Sequence, residues 1–309
     1  MLFPKENLNR KTLTTLVIAS LAYLTIIHLL VGIKTENIII VLMYNLLFLA
    51  SEPTRKFITA FSIFIVFGIV YDLMKAFPNY MVNTVDIIGL HDMERCLFGI
   101  SDGNVILTPN EFFALHHTWL LDLASGIFYI NWMPIPLALG FYFFVKNKQQ
   151  FLYFSLTFLL VNLIGFCVYY IHPAAPPWYL ALHGSQVNIH VPGNPGGLIR
   201  FDEIVHLPVF QSIYIRNSNV FAAMPSLHSA YPVVVLFYGL KNKLGNINWF
   251  FGLFIVGIWF SAIYSGHHYL LDVIAGAACA LVGIAIFQHV LLKSRWFKTF
   301  IKYYCDSIS

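Results

Sequence analysis

The chain has 309 residues, of which 59% are hydrophobic and only 10% charged, and its mean hydropathy is +0.73. Soluble domains carry about a quarter charged residues, so this composition excludes an ordinary soluble protein and points to a bilayer. The net charge of +4 is scattered along the chain, which argues against a nucleic-acid partner.

Eight apolar stretches are expected to span the membrane, at 12–33, 37–51, 57–76, 120–145, 151–171, 219–240, 247–264 and 267–292. The expected fold is therefore all-α, a polytopic membrane helix bundle of about eight transmembrane helices. The first stretch has no small-residue cleavage site after it and is read as a retained span. The second is short and carries Asn45, and the fourth holds Pro134 and Pro136, which predict a kink. Four cysteines (Cys96, Cys167, Cys279, Cys305) show no CxxC or metal-ligand spacing.

Charge supports this count. Cytoplasmic loops are enriched in Lys and Arg. Eight spans put Lys5, Arg10, Lys11, Arg55, Lys56, Lys146, Lys148, Lys241, Lys243 and the four basic residues of 293–302 on one side. Only Lys34, Lys75, Arg95, Arg200 and Arg216 fall on the other. Both termini are thus expected in the cytoplasm. Two long segments go to the opposite side: 77–119, read as mixed with an amphipathic piece, and 172–218, read as an ordered cap or re-entrant loop.

Three polar islands reach one depth on that non-cytoplasmic side. His268 and Asp272 are four residues apart, a spacing that shares one helix face and lets a carboxylate orient an imidazole. His228 stands at the same end of the sixth stretch, and His172 at that end of the fifth. Ionisable groups in a span are costly and default to function. The sixth and eighth helices start at these islands, and helix N-termini favour an anion. Pro225 suits a first helical turn, and Ser226 and Ser229 can cap or donate to phosphate oxygens. Two histidines, a carboxylate and two helix N-termini suit phosphoryl transfer. With no carboxylate or cysteine cluster for a metal and no cofactor motif, histidine would carry the covalent chemistry. His267 and Tyr269 flank His268 as candidate substrate contacts. Asp122, after His116 and His117, either binds a head group or caps a helix. Trp178 and Tyr179 either bind lipid or belong to the interfacial aromatic belt.

These residues resemble the type 2 phosphatidic acid phosphatase superfamily of membrane enzymes. Its Pro-Ser-x-His motif is matched by Pro225-Ser226-Leu227-His228, and its His-x-x-x-Asp motif by His268 to Asp272. The chain looks most like the inositol phosphorylceramide synthase branch, on His-Pro-Ala-Ala-Pro-Pro-Trp-Tyr at 172–179, Phe-Ala-Ala-Met-Pro-Ser-Leu-His-Ser at 221–229 and His-His-Tyr-Leu-Leu-Asp at 267–272. The resemblance implies a catalytic membrane domain at 57–292 built on a six-helix core, with N-terminal membrane helices at 1–56 and a basic cytoplasmic tail at 293–309.

It departs from the superfamily in two places. Ser261-Ala262 replaces the usual Ser-Arg before the histidine, and no Lys-x6-Arg-Pro motif is found. A phosphomonoester dianion needs those cations more than a phosphodiester monoanion does. The departure favours a diester donor, although Arg200 or Arg216 could supply charge. The resemblance implies that His268 attacks phosphorus with Asp272 behind it, and that His228 protonates the leaving alkoxide and then deprotonates the acceptor. It further implies an inositol phospholipid donor and a ceramide-type lipid-alcohol acceptor. The alternatives are a lipid phosphatase of the same superfamily and, from another class, a membrane transporter or lipid-binding protein.

Overall fold

The computed structural model describes residues 10–215 and 219–309 and is almost wholly helical. In chain order, α1 (Arg10–Leu30), α2 (Thr35–Ala50) and α3 (Glu52–Leu73) form an N-terminal group. A surface segment follows, with the amphipathic α4 (Gly89–Phe98), a hairpin of β1 (Ile100–Asp102) and β2 (Val105–Leu107), and α5 (Pro109–Leu115). Next come α6 (Trp119–Ile130), α7 (Pro134–Lys146) and α8 (Lys148–Ile171). A second surface segment holds the short helices α9 (Pro177–His183), α10 (Ile199–Val205) and α11 (Val209–Tyr214). The chain closes with α12 (Leu227–Lys241), α13 (Ile247–Tyr264), α14 (Leu270–His289) and α15 (Arg295–Ile308).

Among the described residues, six segments are long and apolar enough to cross a membrane: α1, α3, the α6–α7 stretch, α8, α13 and α14 with its short extension. The second and sixth expected spans are the shorter helices α2 and α12. The expected kink in the fourth span is a full break at Asn131–Met133, because Pro134 lacks the N–H to continue a helix and instead starts α7. The sixth helix begins at Leu227, well inside the expected 219–240, because residues 221–223 pair with Ala174 in extended form.

Side-chain caps explain the tightest connections. Ser51 alone joins α2 to α3, and its Oγ accepts the Thr54 N–H at 3.3 Å. Asn147 alone joins α7 to α8, and its Oδ1 accepts the Gln150 N–H at 3.1 Å. Such short connectors force antiparallel neighbours. The bundle centre is α8, eleven of whose residues are buried, whereas the peripheral α1 buries two. Phe151, Phe154 and Phe158 of α8 pack with Val234 and Tyr238 of α12 and Ile284 and Phe287 of α14. Exposed apolar residues such as Leu29, Leu46, Val256 and Leu281 cover the outside, which is stable only against hydrocarbon. The chain is an integral, multi-pass membrane protein.

The surface segments are tied together at one end of the bundle, the end where α8 stops and α12 and α14 start. Asp86, Ala174 and Ala222 form a three-strand set of isolated bridges. Buried Asn79 clamps it, donating to the carbonyls of Tyr169 and Phe221 at 2.8 Å each. The described residues of both long loops are therefore ordered, and they roof this end. At the opposite end, Arg295–Ile308 is an amphipathic helix packed on α3 and α8 through Phe297, Ile301 and Ile308.

Candidate active site

The site begins with the turn between α13 and α14. Gly266, at φ +70°, ends α13 in the left-handed conformation that favours glycine. The N–H groups of His267 and His268 then both bond to the Ala262 carbonyl, at 3.1 and 3.0 Å. Asn110 holds the turn from outside, donating to the carbonyls of Ile263 and His268 at 2.7 Å each.

The helix starts only at Leu270, so His268 precedes α14 rather than sharing a helical face with Asp272. The two still meet. Asp272, in the first turn of α14, reaches back to accept the Tyr269 N–H at 2.8 Å, and the same Oδ2 lies 3.5 Å from His268 Nδ1. One carboxylate thus caps the helix and faces the imidazole. On the other side of the ring, His268 Nε2 is 3.5 Å from His228 Nδ1. The three residues form a continuous line, with Asp272 fully buried.

His228 is placed by a backbone crossing. Pro225 lies before the helix rather than in its first turn, and Ser226 is the N-cap of α12. The Ser226 N–H donates to the Asp272 carbonyl at 2.9 Å. Gly276, one turn further along α14, lies so close that an added Cβ would come within 2.0 Å of the Ser226 carbonyl oxygen. Ser226 and Ser229 are fully buried and bond to each other at 3.0 Å, bracing the start of α12 instead of lining the cavity.

A cavity of about 240 Å³ opens beside His228, His267 and His268. Trp132, from the α6–α7 break, meets the His228 ring edge to face at 4.8 Å, and Tyr129 lies 5.1 Å from it. Among the described residues, its lining contains neither Lys nor Arg. His267 is stacked by Tyr214 at 4.3 Å, and its Nε2 donates to the Pro195 carbonyl at 2.7 Å. Burial, with His268 adding to it, pushes the His267 imidazole down to about 3, so it stays neutral with Nδ1 unprotonated.

The remaining expected residues are placed as follows. Trp178 lines this cavity and a neighbouring one of about 810 Å³, and its backbone N–H donates to the Gly266 carbonyl at 3.0 Å. Tyr179 is fully buried and bonds through its hydroxyl to residues 186 and 188. Tyr269 is buried on the side of the larger cavity, beside His91. His172 faces Asp86 at 3.5 Å. Asp122 is buried in a cluster of its own, 2.5 Å from Arg200 Nε and 2.9 Å from the Tyr264 hydroxyl, with His117 at 3.4 Å. Arg200 is thereby turned towards the larger cavity. Arg216 lies outside the described residues.

Glu94 was not singled out from the sequence. It is buried, and its two oxygens accept the N–H groups of Leu270 and Leu271 at 2.8 and 3.1 Å. With Asp272 on Tyr269, the free N–H groups at the start of α14 are taken by the protein's own carboxylates. The expected anion site at that helix end is therefore already filled. At the start of α12, among the described residues, the N–H groups of Leu227 and His228 remain open. Burial raises the Glu94 carboxyl while the two N–H groups lower it, and burial wins. An acidic residue on the polar side of an amphipathic segment carried no sequence signal that it would cap a distant helix. Glu94→Ala would strand two buried N–H groups, at about 2–4 kcal/mol. Thermal unfolding is expected to show that loss, and kcat is expected to fall more than KM because the His268 turn moves. Glu94→Gln, which keeps one acceptor, is expected to recover part of both.

The sequence profile of the PAP2 superfamily matches residues 90–286, well over half of the chain and including all three residues of the line. The chain belongs to the PAP2 superfamily. It is also 46% identical over 304 residues to a phosphoinositol dihydroceramide synthase of Bacteroides thetaiotaomicron, covering 97% of this chain and 98% of that one. The inositol phosphorylceramide synthase of Candida albicans is 28% identical, over 82% of this chain and 52% of its own. The inositol phosphorylceramide synthase catalytic subunit of Saccharomyces cerevisiae is 27% identical, over 79% and 58%. No solved structure matches significantly. Within this PAP2 chain, Ala262 occupies the place of the superfamily's arginine and is fully buried among Tyr129, Phe201, Phe210 and Val273. An arginine there would need a partner that this apolar cluster does not offer.

Proposed function

We propose that this PAP2-superfamily chain is a lipid head-group phosphotransferase that moves a phosphoinositol group from a glycerophospholipid to a ceramide-type alcohol. His268 Nε2 attacks phosphorus, and the P–O bond to diacylglycerol breaks as His228 delivers a proton to the leaving alkoxide. The phosphoinositol group is then held on His268 as a phosphoramidate. In the second half, His228 takes the proton of the acceptor hydroxyl, whose oxygen attacks phosphorus and releases His268. Asp272 keeps the His268 Nδ1 proton directed and balances the charge that develops on the ring.

The observation that carries transfer over phosphomonoester hydrolysis is the lining of the cavity, with three histidines and no Lys or Arg among the described residues. A diester monoanion suits it better than a dianion. The inositol head group and the ceramide-type acceptor are supported by the name of the 46% identical relative, a phosphoinositol dihydroceramide synthase. The site is read as non-cytoplasmic, supported by the basic residues Arg55, Lys56, Lys146, Lys148, Lys241 and Lys243 at helix ends away from it.

Purified protein given phosphatidylinositol and dihydroceramide is expected to form inositol phosphoryl-dihydroceramide and diacylglycerol, read by mass spectrometry. Release of inorganic phosphate from phosphatidic acid without head-group transfer would overturn the reading.

A further inference from the structure

A third cavity lies against the N-terminal helices. It measures about 860 Å³ and runs between α2 and α3. Its depth is apolar, with Leu47, Ile58, Phe64 and Ile65. From Ile58 to Asp72 it follows about 20 Å of helix, more than the ~15 Å of one hydrocarbon leaflet. Its mouth is polar but balanced: Lys34 and Lys75 stand with Glu36 and Asp72, and Lys75 Nζ is 2.6 Å from Asp72 Oδ1. Buried Asn37 adds an amide there, bonded to the Lys34 N–H and to Tyr23. The reaction cavity lies on the other side of the same wall. Tyr71 lines both spaces, and the end of α11 separates them, with Tyr214 on the catalytic side and Ile215, the residue after the helix, at the groove.

We propose that this groove holds the lipid-alcohol acceptor, a long-chain alcohol with a secondary amide, and presents its hydroxyl to the reaction cavity past Tyr71. The proposal rests on the transferase reading above. A mouth whose charges cancel offers donors and acceptors without net charge, which matches an uncharged amide and hydroxyl. Among the described residues the mouth holds no surplus cation for an anionic glycerophospholipid, whose phosphorus must in any case lie at His268. The two substrates thus approach the histidines from different sides.

Gly68 makes the test clean. It lies on the groove face of α3, and a Cβ built there meets no heavy atom within 4 Å, so a side chain can enter the groove at this point and Gly68→Leu narrows it. The KM for dihydroceramide is expected to rise at least about tenfold, equivalent to losing 1.4 kcal/mol of binding, with the KM for phosphatidylinositol unchanged. A photoactivatable dihydroceramide is expected to label α2 and α3 peptides of the unaltered protein, competed by dihydroceramide and not by phosphatidylinositol. Should Gly68→Leu fail to fold, Met43→Trp on the facing helix carries the same kinetic test. A rise in the phosphatidylinositol KM instead, no change in either KM, or labelling confined to other helices would overturn the proposal. The labelling needs no turnover. Groove labelling without head-group transfer would therefore sink the transferase reading alone, and transfer without groove labelling would sink this one alone.

Discussion

His268→Ala is expected to abolish head-group transfer, by at least about 10³-fold in kcat, while the protein still unfolds at nearly the wild-type temperature. The stability expectation follows from the contacts. The turn that carries His268 is held by backbone groups, through the Ala262 carbonyl and Asn110, and the imidazole itself makes only 3.5 Å approaches. Removing the ring leaves that scaffold intact. Incubation with a donor labelled at phosphorus, without acceptor, is expected to leave an acid-labile label on the wild type and none on His268→Ala. Full activity in a folded His268→Ala variant would sink the mechanism. Asp272 separates two duties. Asp272→Asn keeps an oxygen for the Tyr269 N–H and loses the charge facing His268, so it is expected to lose activity with little stability. Asp272→Ala loses both, and the uncapped helix is expected to cost a further ~1 kcal/mol in thermal unfolding.

Gly276→Ala is expected to be the most damaging change outside the reacting residues. Its Cβ would lie 2.0 Å from the Ser226 carbonyl oxygen, a backbone atom that cannot rotate away. Relief requires α12 and α14 to separate, which breaks the Ser226–Asp272 backbone bond and widens the His228–His268 gap. Overpacking of this kind costs about 1–3 kcal/mol, and a displacement near 1 Å at reacting groups costs about a hundredfold in rate. Gly252→Ala is the control, since an added Cβ there meets nothing within 4 Å and should leave kcat unchanged and the melting temperature no lower. Equal behaviour of the two variants would show that the crossing does not position the histidines.

Much of this protein was legible in the chain itself. Apolar run length and the Lys/Arg bias set the membrane class, the order of the helices and the end at which His228, His268 and Asp272 gather. These are short-range or additive properties, which sequence reports directly. The Pro-Ser-x-His and His-x-x-x-Asp spacings pick out the residues proposed to react, and the missing arginine at 262, where the buried Ala262 stands, favours a diester.

What the tertiary structure alone decided are matters of who meets whom across the fold. Asp272 approaches His268 through a capping turn rather than a shared helical face. Ser226 and Ser229 satisfy each other, and Asp122 takes Arg200 away from the reaction cavity. Glu94 occupies the helix end that was expected to receive an anion. Each of these outcomes is a polar contact between residues far apart in sequence, or one whose geometry depends on where a helix begins. Periodicity and spacing carry no record of such partners. A buried polar group must find a partner, and only the packed chain shows which one it took.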